Sequence, residues 1–201
     1  METIQYLIHF HDFWCTASGL SGGARADILT LKDNNYLPYV PGRTLKGLFR
    51  EAAEILSESS LTDPEVIKLL FGEKEWREGG PIEDKHRKRK EGLAFFSNAT
   101  LNKKTVAALD VNIGLEMLYE TIASTSINPN TGIAETHSLR RTEAALPCTL
   151  FAEIMIESPL NSAHSFEECK MQIGRCMKYI KRLGHHRTRG LGRCTFSIFE
   201  A

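Results

Sequence analysis

The sequence has no surplus of either charge: 25 basic and 25 acidic residues cancel when histidine is neutral. Overall charge therefore names no partner, and only its distribution along the chain can. No two of the 5 cysteines, Cys15, Cys148, Cys169, Cys176 and Cys194, form a C-x-x-C pair, and their number is odd. This argues against a dithiol motif or a disulfide framework, and reduced thiols of a cytosolic protein are expected. No stretch approaches the ~18 apolar residues of a membrane span. The opening "METIQYLIHFHDFWC" has neither a basic leader nor an unbroken apolar run. The expected location is the cytoplasm, with no membrane partner. No repeat of solenoid period is present.

What remains is an ordinary globular composition, 42% hydrophobic and 25% charged over 201 residues, enough for one large domain. Ile4, Tyr6, Ile8 and Phe10 alternate with polar neighbours, which predicts a first strand. A glycine-rich loop follows over 16–43. Thr44 is then the expected N-cap of a helix whose apolar stripe is Leu45, Leu48, Phe49, Ala52, Ile55 and Leu56. Asp63-Pro64 opens a short second helix ending near Phe71-Gly72. Residues 58–92 form a helical and charged insertion whose part from 73 on, with "KHRKRK" at 85–90, reads as an exposed lid. "LAFFSNATL" at 93–101 is expected as one strand and "TLFAEIMIE" at 149–157 as another, separated by a turn-rich segment, 102–147. Ser165 and Glu168 form a capping box for a helix carrying Phe166, Cys169, Ile173, Cys176, Met177, Ile180 and Leu183, with Gly184 placed to stop it. A basic loop over 184–193 leads to a last strand with Cys194, Phe196 and Ile198 on one face.

The order without insertions is β-α-β-β-α-β: an α+β fold of ferredoxin-like, RRM-like type. Its topology brings three segments, 16–43, 102–147 and 184–193, and the first helix's N-terminus to one edge. Charge collects at that edge. Arg43, Lys46 and Arg50 recur at helical spacing where the macrodipole favours anions, next to Gly42 and Thr44. Arg187, Arg189 and Arg193 alternate with Gly190 and Gly192 in the last loop. Guanidinium groups bind phosphate in bidentate fashion, and glycines let the backbone approach it. Two basic clusters, one at a helix start with free N–H groups, point to a polyanion.

The stretches "LPYVPGRTLKGLFR" at 37–50 and "GHHRTRGLGRCTF" at 184–196 resemble the two signature regions of the RAMP superfamily of CRISPR-associated proteins. The similarity is greatest to the repeated backbone subunit of type III effector complexes. Arg189-Gly190-Leu191-Gly192-Arg193 matches the family's R-G-x-G-[KR] loop. "SINPNTGIAETHSLRRTEAALPCTLF" at 126–151 resembles its thumb hairpin, with Asn128-Pro129 in place of Asp-Arg and with Arg140 and Arg141 in the Leu-Arg region. "LAFFSNATL" fits its Phe-Ser-Asp-Ala strand, with Asn98 for Asp.

The resemblance implies a subunit that polymerises along a guide CRISPR RNA. Its partners are complementary target RNA, copies of itself and other effector subunits. It also implies cleavage of target RNA by a loop aspartate with Mg²⁺ or another divalent cation. "DILTLKDNNYLPYVPG" puts Asp27 at the catalytic, metal-binding position and Asp33 at the second, with Leu29 where the family has Pro. A carboxylate in a flexible loop can bind a metal or accept the proton of a 2′-hydroxyl. His137, His185 and His186 offer a competing acid–base mechanism of the guide-processing kind, and a non-catalytic structural subunit is a further alternative. Cys169 and Cys176 fall on an apolar helix stripe, which argues for core over zinc.

Overall fold

The alternation at the N-terminus becomes strand β1 (Glu2–Phe10) in the computed structural model, which describes residues 1–72, 91–109, 114–157 and 165–199. The basic run at 85–90 lies outside the described residues. Helices α1 (Gly42–Glu58) and α2 (Pro64–Phe71) follow, then β2 (Ala94–Phe96), β3 (Thr100–Leu101) and α3 (Lys103–Ala108). A 3-10 turn leads into β4 (Tyr119–Ser124) and β5 (Arg140–Ala145), followed by β6 (Thr149–Ile156), α4 (Phe166–Tyr179) and β7 (Cys194–Ile198).

The main sheet runs β2-β6-β1-β7, with β3 beside β2 on the same partner, and every pairing in it is antiparallel. One face carries the core: Ile4, Tyr6, Ile8, Leu150, Ala152, Ile154 and Ile156 are buried there. Phe49 of α1 fills its centre, with its ring 6.0 Å from Tyr6, 5.2 Å from Phe96 and 5.4 Å from Phe196. A side chain so buried contributes on the order of 1.5–3 kcal/mol. The β4–β5 hairpin forms a second, two-stranded sheet. No helix among the described residues is long and apolar enough to cross a membrane.

The structure departs from the sequence reading at several places. Helix α1 begins at Gly42, not after Thr44; Pro41 holds the N-cap position, and the Gly42 N–H donates to Asn98 Oδ1 at 2.9 Å. The cap is supplied from 56 residues away, so no local pattern signals it. The strand expected over 93–101 breaks between β2 and β3, where Ser97 Oγ takes the Glu153 N–H and interrupts the ladder. Ile55, assigned to the apolar stripe, is exposed.

Helix α4 has the expected Ser165 cap, its Oγ accepting from the Glu168 N–H. It ends at Tyr179, well before Gly184. Leu183 N–H bonds Gly192 O and Cys194 N–H bonds Lys181 O, so pairing with the basic loop draws the chain out of the helix. Within 102–147, the turn-rich reading is replaced by α3, β4 and β5.

Candidate nucleic-acid interface

Strand β5 has a partner on each edge. β4 pairs along one, and on the other Ile28 bridges Thr142 in parallel. At that edge the Asp27 N–H donates to Arg141 O at 2.8 Å, and the Arg141 N–H donates to Asp27 Oδ2 at 2.8 Å. Glu143 N–H continues the ladder to Ile28 O, and the Arg141 guanidinium closes on Ala24 O, both at 2.8 Å. Asp27 is exposed, beside buried Ala26. Asp33 does something else: its Oδ1 accepts from the N–H groups of Asn35 and Leu37, closing the turn before Pro38.

The α1 N-terminus meets the basic loop across a cleft of about 440 Å³, whose lining includes Arg43, Thr44, Glu51, Gly184, His185 and Arg187. Arg187 is forked onto Glu51, with contacts of 2.8 and 3.1 Å. The Arg43 side chain makes no hydrogen bond or ion pair among the described residues. Lys46 and Arg50 turn elsewhere. Lys46 Nζ donates to Ala94 O at 2.9 Å, and burial, reinforced by Arg50, lowers its pKa. Arg50 binds Glu54 and the carbonyls of Phe71 and Gly72, acting as a cation on the C-terminus of α2.

Gly42 is not open to a ligand either. A Cβ there would stand 2.0 Å from Phe96 O, so its role is close packing of α1 on β2. Gly190, with φ +98° and nothing near its Cβ position, is the glycine of the basic loop that leaves backbone accessible.

A second cleft, of about 400 Å³, lies between the hairpin and the basic loop, and its lining includes Ser124, Ser126, Ser138, Arg140, His186 and Arg189. The register explains the first of these: Ser124 faces Arg140 and Ile122 faces Thr142, so they share one face of the hairpin. Arg140 also donates to the carbonyls of His137 and Leu139, out in the hairpin's connecting loop. His186 sits at φ +57° with its ring 4.0 Å from that of His185. Burial, then His185 and Arg189, depress its pKa. The Arg193 backbone N–H donates to Asp12 Oδ1 at 2.8 Å, while its largely exposed guanidinium stands 3.6 Å from Asp12 Oδ2.

The expected residues therefore fall into groups. Arg43, Thr44, His185 and Arg187 surround one cleft, and Arg140, His186 and Arg189 the other, with Asp27 and Arg141 on the hairpin's outer edge. Lys46 and Arg50 are tied into the fold by their side chains, whereas Arg193 is fixed by its backbone and its side chain stays exposed. What sequence reasoning missed is their partners: Glu51 for Arg187, Asp12 for Arg193, and the capping of Gly42 by Asn98. Each acts across a long separation, 136 residues for Glu51 and 181 for Asp12, and carries no local signature. Burial pushes the Cys148 thiol up to about 11 and those of Cys176 and Cys194 up to about 12. Among the described residues no three His, Cys, Asp or Glu side chains are grouped to hold a metal ion.

A family model of the RAMP superfamily matches residues 8–195. Among solved structures, the chain is similar to one from a cryo-EM structure of the type III-B Cmr-beta bound to cognate target RNA. The TM-score is 0.69 at 13% identity, covering 98% of this chain and 97% of that one. It is also similar to a chain of type III-B Cmr-beta in the apo state, with a TM-score of 0.65 at 14% identity and the same coverage, 98% and 97%. No curated protein sequence matches.

Proposed function

From the premise that this chain belongs to the RAMP superfamily, we propose that it is a guide-RNA-binding backbone subunit of a type III CRISPR effector complex, cleaving complementary target RNA beside Asp27. In this reading the sheet β7-β1-β6-β2 with its helices on one face is a ferredoxin-like, RRM-like palm. The β4–β5 hairpin is the thumb. Guide CRISPR RNA, target RNA, copies of the chain and further effector subunits are its partners. A neighbour of the same fold comes from a complex bound to cognate target RNA, which supports this assignment.

The observation that carries it is the two-way bond between Asp27 and Arg141. It presents an exposed carboxylate from ordered backbone at the edge of the hairpin, with Arg140 one residue away on the face turned to Arg189 and His186. RNA is cut by its own 2′-hydroxyl once that oxygen is brought in line with phosphorus. Arg140 and Arg189 hold phosphate, and the Asp27 carboxylate accepts the 2′-proton or binds a divalent cation. The residues fit Mg²⁺ of the kind shared with substrate, which needs only one or two carboxylates besides phosphate and water. Bound there, the ion would supply neutralisation of charge developing on the phosphate.

A non-catalytic structural subunit with the same assembly is the second reading. It is favoured by Leu29 and Asn128-Pro129, which stand where the family has Pro and Asp-Arg. The assembled complex should be incubated with labelled complementary RNA, with and without Mg²⁺. Cleavage at regular spacing that disappears in Asp27→Ala while binding persists supports the first reading. An intact target held tightly by the unsubstituted complex leaves the second. Cutting of guide precursor by the isolated subunit, lost on substitution of His185 or His186, would transfer the activity to guide processing.

A further inference from the structure

We propose that the ion pair between buried Glu143 and partly exposed Lys32 is a positioning device that holds the Asp27 segment in register against the hairpin. The proposal rests on the reading of Asp27 as the cleaving carboxylate. Glu143 lies on β5 two residues after Arg141, and its side chain is 3% exposed. Lys32 Nζ stands 3.0 Å from Oε1, without the direction of a hydrogen bond, and donates to Oε2 at 3.1 Å. The same ammonium lies 4.0 Å from the centre of the Tyr119 ring on β4, and Tyr119 Oη donates to Tyr36 O at 2.7 Å. One cation thus joins both hairpin strands to the loop that carries Asp27.

The backbone around the pair runs the same way. Glu143 N–H donates to Ile28 O, and Thr30 Oγ1 donates to Glu143 O at 2.5 Å. Thr30 is itself buried. Asp27 and Lys32 therefore bracket a short segment fixed to β5 at both ends, by Arg141 at the first and by Glu143 at the second. Desolvation of a carboxylate can cancel what one ammonium restores, so the pair by itself is no argument for net stability. Register explains it, because a slip of one residue along β5 would leave the charge buried and unpaired. It would also move Asp27 off Arg141.

The test uses the assembled complex bearing Glu143→Gln, which keeps the shape and removes the charge, and Lys32→Arg, which keeps the pair. Target-RNA affinity is expected to hold in both. Single-turnover cleavage should slow by about 10- to 100-fold in Glu143→Gln and be largely retained in Lys32→Arg. Amide hydrogen exchange should quicken at Asp27 and Ile28, whose N–H groups share Arg141 O, in Glu143→Gln only. Cleavage by Glu143→Gln at the parent rate, in a complex that Asp27→Ala silences, overturns the proposal and spares the reading of Asp27. If the parent complex cuts no RNA, that reading falls, and the positioning role is decided by exchange alone. Unchanged protection at Asp27 and Ile28 then overturns it too.

Discussion

Asp27 and Arg141 hold each other through backbone in one direction and through the Asp27 carboxylate in the other, both at 2.8 Å. What Arg141 contributes to that tie is its peptide group, so its side chain can change without releasing Asp27. Arg141→Ala should therefore retain most target-RNA cleavage. Asp27→Asn keeps an oxygen for the Arg141 N–H but loses the charge, and should lower cleavage by about 10²–10⁴-fold. Single-turnover cleavage at equal RNA occupancy checks both. Equal losses would mean that the guanidinium, held on Ala24 O, matters as much as the carboxylate.

Two glycines of the basic clusters should fail differently. Gly42→Ala drives a Cβ to within 2.0 Å of the Phe96 carbonyl, a backbone atom that cannot swing away. A loss of about 3 kcal/mol, the upper end of ordinary overpacking, is expected. Gly190→Ala meets nothing within 4 Å and suffers only its left-handed φ of +98°, worth about 1–2 kcal/mol. Thermal or denaturant unfolding of the two variants measures the difference.

Arg43 and Arg187 line one cleft but differ in readiness. Arg43 has no side-chain partner among the described residues, so Arg43→Ala should weaken RNA binding and reduce the salt slope by about 1. Arg187 is engaged by Glu51, with side chains 40% and 50% exposed, a pair worth at most about 1 kcal/mol. Glu51→Gln should free it and tighten RNA binding. Lys46→Met should change the slope less than Arg43→Ala, because the Lys46 ammonium is bonded to Ala94 O. Binding titrations at several salt concentrations decide all three.

His186 sets a pH dependence. Burial, with His185 and Arg189 adding to it, lowers its pKa, so the folded chain takes this proton less readily than the unfolded one. Its contribution to stability is thus full above the ordinary histidine value of ~6.5 and declines as pH falls through it. His186→Asn removes the titration while tolerating the left-handed backbone at φ +57°. Between about pH 8 and 5, the unfolding midpoint of the parent should fall more than that of the variant. Parallel curves would place the histidine's ring in solvent.

Much of the fold was legible because it rests on local periodicity. The alternation of β1 and β6, the Asp63-Pro64 and Ser165 helix starts and the apolar face of α4 are each written within a few residues. The candidate site was legible in its residue types and less so in their availability. Arg43, Lys46 and Arg50 look equivalent at helical spacing, yet Lys46 and Arg50 end on carbonyls contributed by β2 and by the end of α2. The break between β2 and β3 was hidden in the same way, since Ser97 becomes a disruption only when Glu153 lies beside it.

By itself the sequence determined where the chain is apolar on one face, where α2 and α4 begin, and which loops concentrate arginine, histidine and glycine. Those are properties of short windows, set by backbone sterics and burial pattern. Only the tertiary structure decided which cations remain free, which glycines serve packing, and that Asp27 is held on an edge of β5. Such outcomes depend on groups from about twenty to 181 residues apart, brought within hydrogen-bond distance by the tertiary fold. A carboxylate or carbonyl arriving from far along the chain changes what an arginine or lysine has left to offer a phosphate.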